Sequence, residues 1–255
     1  MRPWLHARTP EELNRHAEGL RTGSGQPLRF VPPGRKDAYY ETRVYQTGEV
    51  ETRPDSLHDY FNALVWLAFP RTKARINAMH ASEMPREAGR RGPLRDLLTI
   101  FDEGGAIVHC DDAGLIRLLR NHRWKELFWR RRDQVLEAMR ILVFGHAVLE
   151  QALEPWPGIT CKAIVLPKAS DSDSAACAWL AGRTADDSPR LLAALPIFGY
   201  PGWHPDTARA EFYDDRRYFR PAPVKWQLES ARQPLQASGS EAVEESPGSI
   251  ERDAG

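Results

Sequence analysis

The chain has 255 residues, of which 42% are hydrophobic and 27% are charged, so it is long enough to bury one sizeable core. Its 35 basic side chains balance its 35 acidic ones, and we therefore expect neither nucleic acid nor a membrane as a partner. The longest apolar run, residues 63–69, is far too short to cross a bilayer. The first residues show no secretory signal, and Cys110, Cys161 and Cys177 lack the spacing of a disulfide scaffold or a zinc ribbon. These observations predict a cytoplasmic protein.

The composition changes near residue 226. The last stretch is rich in Ser, Gly, Pro, Gln and acidic residues, and it is poor in large apolar side chains. Such a segment cannot bury enough surface to offset its own ordering entropy. We therefore predict a single globular domain over residues 1–225 and a disordered acidic tail over residues 226–255.

The N-terminal elements are predicted from capping and alternation. Thr9 and Glu12 have the spacing of a capping box, which predicts a short helix. Residues 28–32 are predicted to be extended. Residues 39–53 alternate around Thr47-Gly48, which predicts an antiparallel hairpin.

The middle of the chain is predicted to be mainly helical. Ser56 has the position of an N-cap, and Pro70 and Pro93 suit the first turns of two further helices. A short strand over residues 106–110 precedes a helix capped by Asp111-Asp112, and a long helix is predicted over residues 133–153. The rest of the chain is predicted to contain a strand over residues 160–166, a helix over residues 174–181 and a strand over residues 191–198. The predicted class is α+β, with a mostly helical core and a small antiparallel or mixed sheet.

Two of the predicted helices carry polar side chains on faces that should be core. His58 and Asn62 lie on the apolar stripe of the helix that follows Ser56, with Asp59 beside it. His146 lies in the apolar stripe of the predicted long helix, and Glu150 follows one turn later. Side chains four residues apart on a helix are neighbours, so each histidine has an oxygen-bearing partner within reach.

This pattern predicts a site between the two helices. A histidine held by a carboxylate is a general acid–base arrangement, and the same residues could ligate a divalent metal. We therefore expect a hydrolase, metal-dependent or of the His/carboxylate type, acting on a small molecule. The candidate catalytic residues are His58, Asp59, Asn62, His146 and Glu150. The alternative is a non-catalytic binding or scaffold protein in which buried polar groups fix the helix register.

Weaker candidates lie elsewhere. His80 follows Asn77 by three residues on a helix. Asp102 and Glu103 lie at a helix C-terminus, where the macrodipole disfavours acids, which suggests a cationic partner such as Arg95 or a metal. The basic run over residues 130–132 is typical of a solvent-exposed face. Residues 62–77 are faintly similar to HNH nucleases, but the metal-binding hairpin that those enzymes need upstream is missing from the sequence.

Several segments, in this order, resemble one family: HDYFNALVWLAFPRTKARINAMH, LRDLLTIFDEGG, WKELFWRRR, FGHAVLE, GITCK, LPIFGYPGW and FYDDRRYFRP. Together they resemble the bacterial domain of unknown function numbered three thousand and twenty-five, over about residues 25–221. We know of no established activity, ligand or fold for that family, so the resemblance assigns no function. It implies that the following residues belong to the family's motif blocks: His58, Asp59, Asn62, Trp66, Lys73, Asn77, Arg95, Asp102, Glu103, His146, Lys162 and Trp203.

Overall fold

The computed structural model of the protein describes residues 9–34, 39–87 and 91–223. The acidic tail predicted over residues 226–255 therefore lies outside the described residues. The nine α-helices of the described part are α1 Pro10–Asn14, α2 Tyr40–Thr47, α3 Leu57–Ala68, α4 Pro70–Glu83, α5 Pro93–Gly104, α6 Ala113–Arg120, α7 Arg132–Ala138, α8 His146–Gln151 and α9 Ser172–Ala181. A π-helical segment, Lys125–Arg130, joins α6 to α7.

The strands form two small sheets. Their bounds are β1 Arg29–Val31, β2 Glu49–Glu51, β3 Gly105–Cys110, β4 Met139–Val143, β5 Thr160–Leu166 and β6 Ala193–Pro196. Strands β1 and β2 pair in parallel. The larger sheet has the order β4-β3-β5-β6, in which β3 and β5 are parallel and the two outer pairs are antiparallel. The protein is α+β, as the sequence predicts.

The larger sheet is buried on both faces. Ala106 and Val108 of β3 face a cluster that includes Leu119 of α6 and Val135 of α7. Ile107 faces a second cluster built from helices such as α5 and α9. All six residues of β3 are buried, which explains why its sequence is an almost continuous apolar run. The strand therefore has a helical layer on each side and fixes the position of both.

Sequence signals at the helix ends are confirmed. Thr9 and Glu12 form a complete capping box at α1. The Ser56 side chain accepts a hydrogen bond from Asp59 N, and Asp112 accepts one from Leu115 N. These polar caps satisfy backbone donors that the first turn of a helix leaves free.

The hairpin predicted over residues 39–53 is wrong. Most of that segment is helix α2, and β2 pairs with β1 instead. Val44 is fully buried on the inner face of α2. Gly48 has φ +76° and ends the helix, and a Cβ there would lie 2.0 Å from the Pro27 carbonyl oxygen. A glycine with positive φ suits both a hairpin turn and a helix C-terminus, so the residue type alone does not separate the two.

The long helix predicted over residues 133–153 is also wrong. The segment consists of α7, then β4, then α8. Apolar residues at helical spacing coincide here with a strand whose Ile141 and Val143 are β-branched, which favours extended structure. Pairing of β4 with β3 completes the sheet, and tertiary contacts thereby override the helical spacing. As a result, His146 begins a short helix rather than lying in the middle of a long one.

Candidate functional site

A cleft of about 560 Å³ lies beside α3 and the N-terminus of α8. Helix α3 contributes residues of its first turns, and α2 and the end of α5 supply the other walls. The side chains that line the cleft are Tyr39, Tyr40, Glu41, Arg43, Glu51, Arg53, His58, Asp59, Asn62, Asp102, Glu103 and His146. Four of the five predicted site residues thus share one cavity, and the fifth, Glu150, contacts His58.

His58 connects the two predicted halves of the site. Its Nδ1 lies 3.1 Å from Glu150 Oε2. Its Nε2 lies 3.1 Å from His146 Nε2. On its other side, His146 Nδ1 lies 2.8 Å from the Asp102 carbonyl oxygen. We call Glu150, His58 and His146 the histidine trio.

The direction of these hydrogen bonds follows from their partners. The Asp102 carbonyl oxygen only accepts, so His146 Nδ1 carries the proton and donates. A neutral His146 then has a lone pair on Nε2, and the His58 Nε2–H donates to it. A third proton is then needed between His58 Nδ1 and Glu150. The fully hydrogen-bonded trio therefore holds one proton more than a carboxylate with two neutral imidazoles.

His146 is kept neutral by its surroundings. Burial lowers its pKa to about 4, and the nearby Lys73 ammonium adds to this effect, whereas Asp102 opposes it. The His146 side chain is only 6% exposed, and that of His58 is 43% exposed. Of the two histidines, His58 is therefore the one that solvent or a ligand reaches more easily.

A second chain of hydrogen bonds runs under the cleft. Lys73 Nζ donates to Asp102 Oδ1 at 2.5 Å and to Asn62 Oδ1 at 2.8 Å. Asn62 Nδ2 in turn donates to the Tyr40 hydroxyl at 3.1 Å. Burial by itself would raise the pKa of Asp102, but Lys73 and His146 hold it below its ordinary value.

The Tyr40 hydroxyl accepts from Asn62, so its own proton remains to be donated. Burial, followed by the charge of Glu41, raises the pKa of this phenol. Tyr40 lines the cleft and stays protonated, which makes it a hydrogen-bond donor rather than a base. Such a donor can stabilise negative charge that develops on a ligand oxygen.

Asp59 has a different environment from the other predicted residues. Its carboxylate accepts from Arg53 Nε at 2.7 Å, from Arg53 Nη2 at 2.9 Å and from Arg53 N at 2.9 Å. Burial would raise the pKa of Asp59, but these bonds lower it. Asp59 therefore ties the start of α3 to the chain before it at the rim of the cleft.

Gly145 allows α8 to begin close to α5. A Cβ at this position would lie 2.4 Å from both Glu103 O and Gly105 N. The Gly145 amide donates to Gly105 O at 2.8 Å. This close approach brings His146 within reach of the Asp102 carbonyl.

The partners within the site differ from those expected for neighbours on one helix. Glu150 and His146 each contact His58 across the interface between α3 and α8. Asn62 contacts Lys73 of α4 and Tyr40 of α2. Tyr40 was missed because its segment was expected to be a strand. Lys73 was missed as a site residue. Its position beside Ala74, on the buried side of α4, is a signal that an analysis of helix faces could have used.

The weaker candidates also find definite partners. Arg95 Nε donates to His80 Nδ1 at 3.1 Å, and Arg95 also pairs with Glu87 at 2.6 Å. Asn77 Nδ2 donates to Glu41 Oε2 at 2.6 Å. Asp102 pairs with Lys73 rather than with Arg95. Burial and the Arg95 charge lower the pKa of His80 to about 4.

The divalent metal considered from the sequence finds no ligand set in this part of the molecule. Among residues 9–34, 39–87 and 91–223, no group of three or more His, Cys, Asp or Glu side chains is arranged to hold a metal ion. The Nε2 atoms of His58 and His146 lie 3.1 Å from each other, which is hydrogen-bond distance.

The chain belongs to the family described as protein of unknown function DUF3025, whose family model matches residues 28–223. No curated protein and no solved structure gives a significant match. Within the described ranges, no helix is long and apolar enough to cross a membrane. Family membership therefore agrees with the resemblance noted in the sequence and leaves function to be argued from the site.

Proposed function

We propose that the protein is a hydrolase of a small polar substrate, with the histidine trio as its acid–base group. The observation that carries this proposal is the contact of one half-exposed histidine, His58, with both a carboxylate and a buried neutral histidine. A histidine oriented by partners on both ring nitrogens, at the edge of a cleft, is suited to move protons.

The trio can both give and take one proton. With its extra proton in place, it gives the proton held between His58 Nδ1 and Glu150 to the leaving group of the substrate, and the hydrogen bond between His58 and Glu150 opens in this step. It then accepts a proton from the attacking water, which restores its starting state. His146 fixes the orientation of His58, because the Asp102 carbonyl holds the His146 tautomer. Glu150 orients His58 through the contact with its Nδ1.

Tyr40 stabilises negative charge on the substrate. Its hydroxyl proton is available because Asn62 occupies the oxygen as a donor. A substrate oxygen that gains negative charge during attack by water would be stabilised by this phenol. Asn62, Lys73 and Asp102 are then positioning residues, which hold Tyr40 in place by a chain of hydrogen bonds.

The compartment proposed from the sequence, a reducing cytoplasm, is supported by the cysteines. Cys110, Cys161 and Cys177 are all free thiols, and two of them are buried. Burial raises the pKa of Cys161 to about 12, so this thiol is unreactive.

The test is a hydrolysis screen of the full chain against chromogenic amides, phosphate esters and glycosides. The comparison variants are His58→Gln and Tyr40→Phe, and the matched control is His204→Gln, a histidine outside the cleft. We expect at least one substrate to be hydrolysed, with a loss of about 100-fold or more in His58→Gln. Tyr40→Phe should lower kcat more than it changes KM.

Two results would overturn the proposal. One is a screen in which the wild type hydrolyses nothing. The other is hydrolysis that His58→Gln leaves at the rate of the His204→Gln control. Either result would favour the alternative, a non-catalytic protein in which Lys73 and Asp102 form a structural polar core.

A further inference from the structure

A second histidine lies at the opposite end of β3 from the cleft. The first residue of β3, Gly105, accepts the Gly145 amide next to His146. Its fifth residue, His109, lies at the carboxyl end, where β3 and β5 run in parallel. The crevice at the carboxyl ends of parallel strands is where open α/β sheets bind ligands.

The hydrogen bonds of His109 define its tautomer. Its Nδ1 lies 2.7 Å from the Pro167 carbonyl oxygen, so this nitrogen carries the proton. Its Nε2 lies 2.9 Å from Ser172 Oγ. The lone pair on Nε2 therefore accepts the Ser172 hydroxyl proton. The residue is only 1% exposed, which keeps the imidazole fixed in this orientation.

Arg140 completes the group. It is the antiparallel partner of His109 in the sheet, so the two side chains stand next to each other on one face. Arg140 Nη2 lies 3.1 Å from Ser172 Oγ and 3.0 Å from the Ala169 carbonyl oxygen. The guanidinium places a positive charge beside the hydroxyl oxygen.

The first turn of α9 does not itself supply anion-binding groups. Asp171 already accepts from Asp173 N and Ser174 N. The amides of Asp173 and Ser174 are therefore not free to bind a ligand. The positive charge next to Ser172 is that of Arg140.

A cavity of about 530 Å³ adjoins His109 and Arg140. The two groups that contact the Ser172 hydroxyl, His109 and Arg140, both line it, and Ser172 lies directly behind them. Much of the rest of its wall is apolar and includes Leu136, Met139 and Tyr200. Such a cavity suits a short apolar acyl or alkyl group.

We propose that Ser172 is a nucleophile toward esters with a short apolar acyl group. His109 is its general base, and the Pro167 carbonyl orients His109. A nucleophile hydrogen-bonded to a base that a third group orients is the arrangement that activates a serine. This inference goes beyond the proposed function and does not rest on it, because the two sites share none of these residues.

The reaction balances without a cofactor. Ser172 Oγ forms a bond to the acyl carbon while its proton passes to His109 Nε2. The charge on the acyl oxygen is stabilised by Arg140. The bond to the leaving alcohol then breaks, and the alcohol takes the proton from His109. Water hydrolyses the resulting acyl-Ser172 by the same steps and releases the acid.

An alkyl fluorophosphonate tests this proposal directly, since it reacts with activated serines with loss of fluoride. The full chain is incubated with the reagent, and the adduct is mapped by peptide mass spectrometry. We expect an adduct on Ser172, and labelling of His109→Gln should be slower by about 100-fold or more. Ser174→Ala, in the same helical turn, is the matched control and should label Ser172 at the wild-type rate.

The proposal is overturned if Ser172 of the wild type carries no adduct. It is also overturned if folded His109→Gln labels at the wild-type rate. Should circular dichroism show that His109→Gln does not fold, p-nitrophenyl butyrate provides a second test on the wild type. Brief incubation should yield a butyryl group on Ser172, and its absence contradicts the proposal. Ser174→Ala, the matched control, should also be butyrylated on Ser172 at the wild-type rate.

Discussion

His146 and His109 lie near the two ends of β3 and are fixed in the same way. In each, Nδ1–H donates to a backbone carbonyl, of Asp102 at 2.8 Å and of Pro167 at 2.7 Å. In each, Nε2 is left to accept from one side chain. The partner of His146 is another histidine, whereas the partner of His109 is Ser172.

The difference between the partners decides what each histidine can do. A backbone carbonyl cannot change its charge, so it fixes the tautomer without moving a proton. His58 contacts the Glu150 carboxylate, and the proposed function gives this end of β3 acid–base chemistry. Ser172 holds a hydroxyl proton that leaves only when its oxygen forms a new bond, which suits nucleophilic chemistry.

The charged neighbours of the two histidines differ as well. Below His146 lies a buried pair, Lys73 and Asp102, whose side chains are 5% and 17% exposed. Beside His109 lies Arg140, which is exposed. Burying the charges of Lys73 and Asp102 beside the cleft costs folding free energy, whereas the exposed charge of Arg140 at the other end of β3 does not carry this cost.

The largest expected effect is on folding stability at the buried pair. Lys73→Met leaves the Asp102 carboxylate buried without its cation, and the free energy of unfolding should fall by about 3–5 kcal/mol. Adding Asp102→Asn should recover part of the loss, because the stranded charge is removed. Urea denaturation measures both. Arg140→Met is the matched control and should cost less than about 1 kcal/mol, and an equal loss in both variants would refute the contrast.

The next effect is on acid stability. The pKa of His146 and of His80 is lowered by burial to about 4. These folded-state values lie below the unfolded value of about 6.5, so the unfolded chain binds protons at these histidines before the folded protein does. The free energy of unfolding is therefore highest above pH 6.5 and decreases as the pH falls towards 4. In His146→Gln, the loss of unfolding free energy between pH 7 and pH 4 should be smaller by up to about 3 kcal/mol. The same acid loss in variant and wild type would show that His146 is not desolvated.

A somewhat smaller effect is expected at Gly145. Gly145→Ala places a methyl group 2.4 Å from two backbone atoms, which should cost roughly 1–3 kcal/mol and displace His146 from the Asp102 carbonyl. Gly182→Ala is the matched control, because its Cβ would lie 3.6 Å from the nearest atom. Thermal unfolding of both variants measures the effect. Equal melting temperatures would mean that the close approach at Gly145 is not needed.

The smallest effect on stability is expected at the half-exposed pair of His58 and Glu150. Their side chains are 43% and 40% exposed, so solvent screens the interaction. A double-mutant cycle with His58→Gln and Glu150→Gln should give a coupling energy below about 1 kcal/mol. A coupling of several kcal/mol would mean that the trio serves stability rather than proton transfer.

The fold was predictable where local chemistry alone determines it. Thr9, Ser56 and Asp112 cap helices as their side chains require. Prediction failed at α2 and β4, which are short and depend on tertiary contacts. Residues 40–47 and 139–143 have spacings that fit both a helix and a strand, and only the pairing of β1 with β2 and of β3 with β4 decides between them.

The candidate site was predictable in its residues and not in its contacts. A polar side chain on an apolar face identifies His58 and Asn62 without any knowledge of the fold, whereas His146 was identified on the stripe of a long helix that the structure does not contain. Their partners come from other elements, because buried polar groups bond to whatever the tertiary structure brings near. Tyr40 and Lys73 were therefore found only in three dimensions.

Nitrogen-15 NMR of the histidine rings tests the central claim most directly, since it reports which ring nitrogens carry protons. At neutral pH, we predict that His146 has a protonated Nδ1 and a bare Nε2, and that His58 Nε2 is protonated and donates to it. His146→Gln should assign the His146 signals and shift those of His58. A protonated Nε2 on His146, or a bare Nε2 on His58, would contradict the proton arrangement on which the proposed function rests.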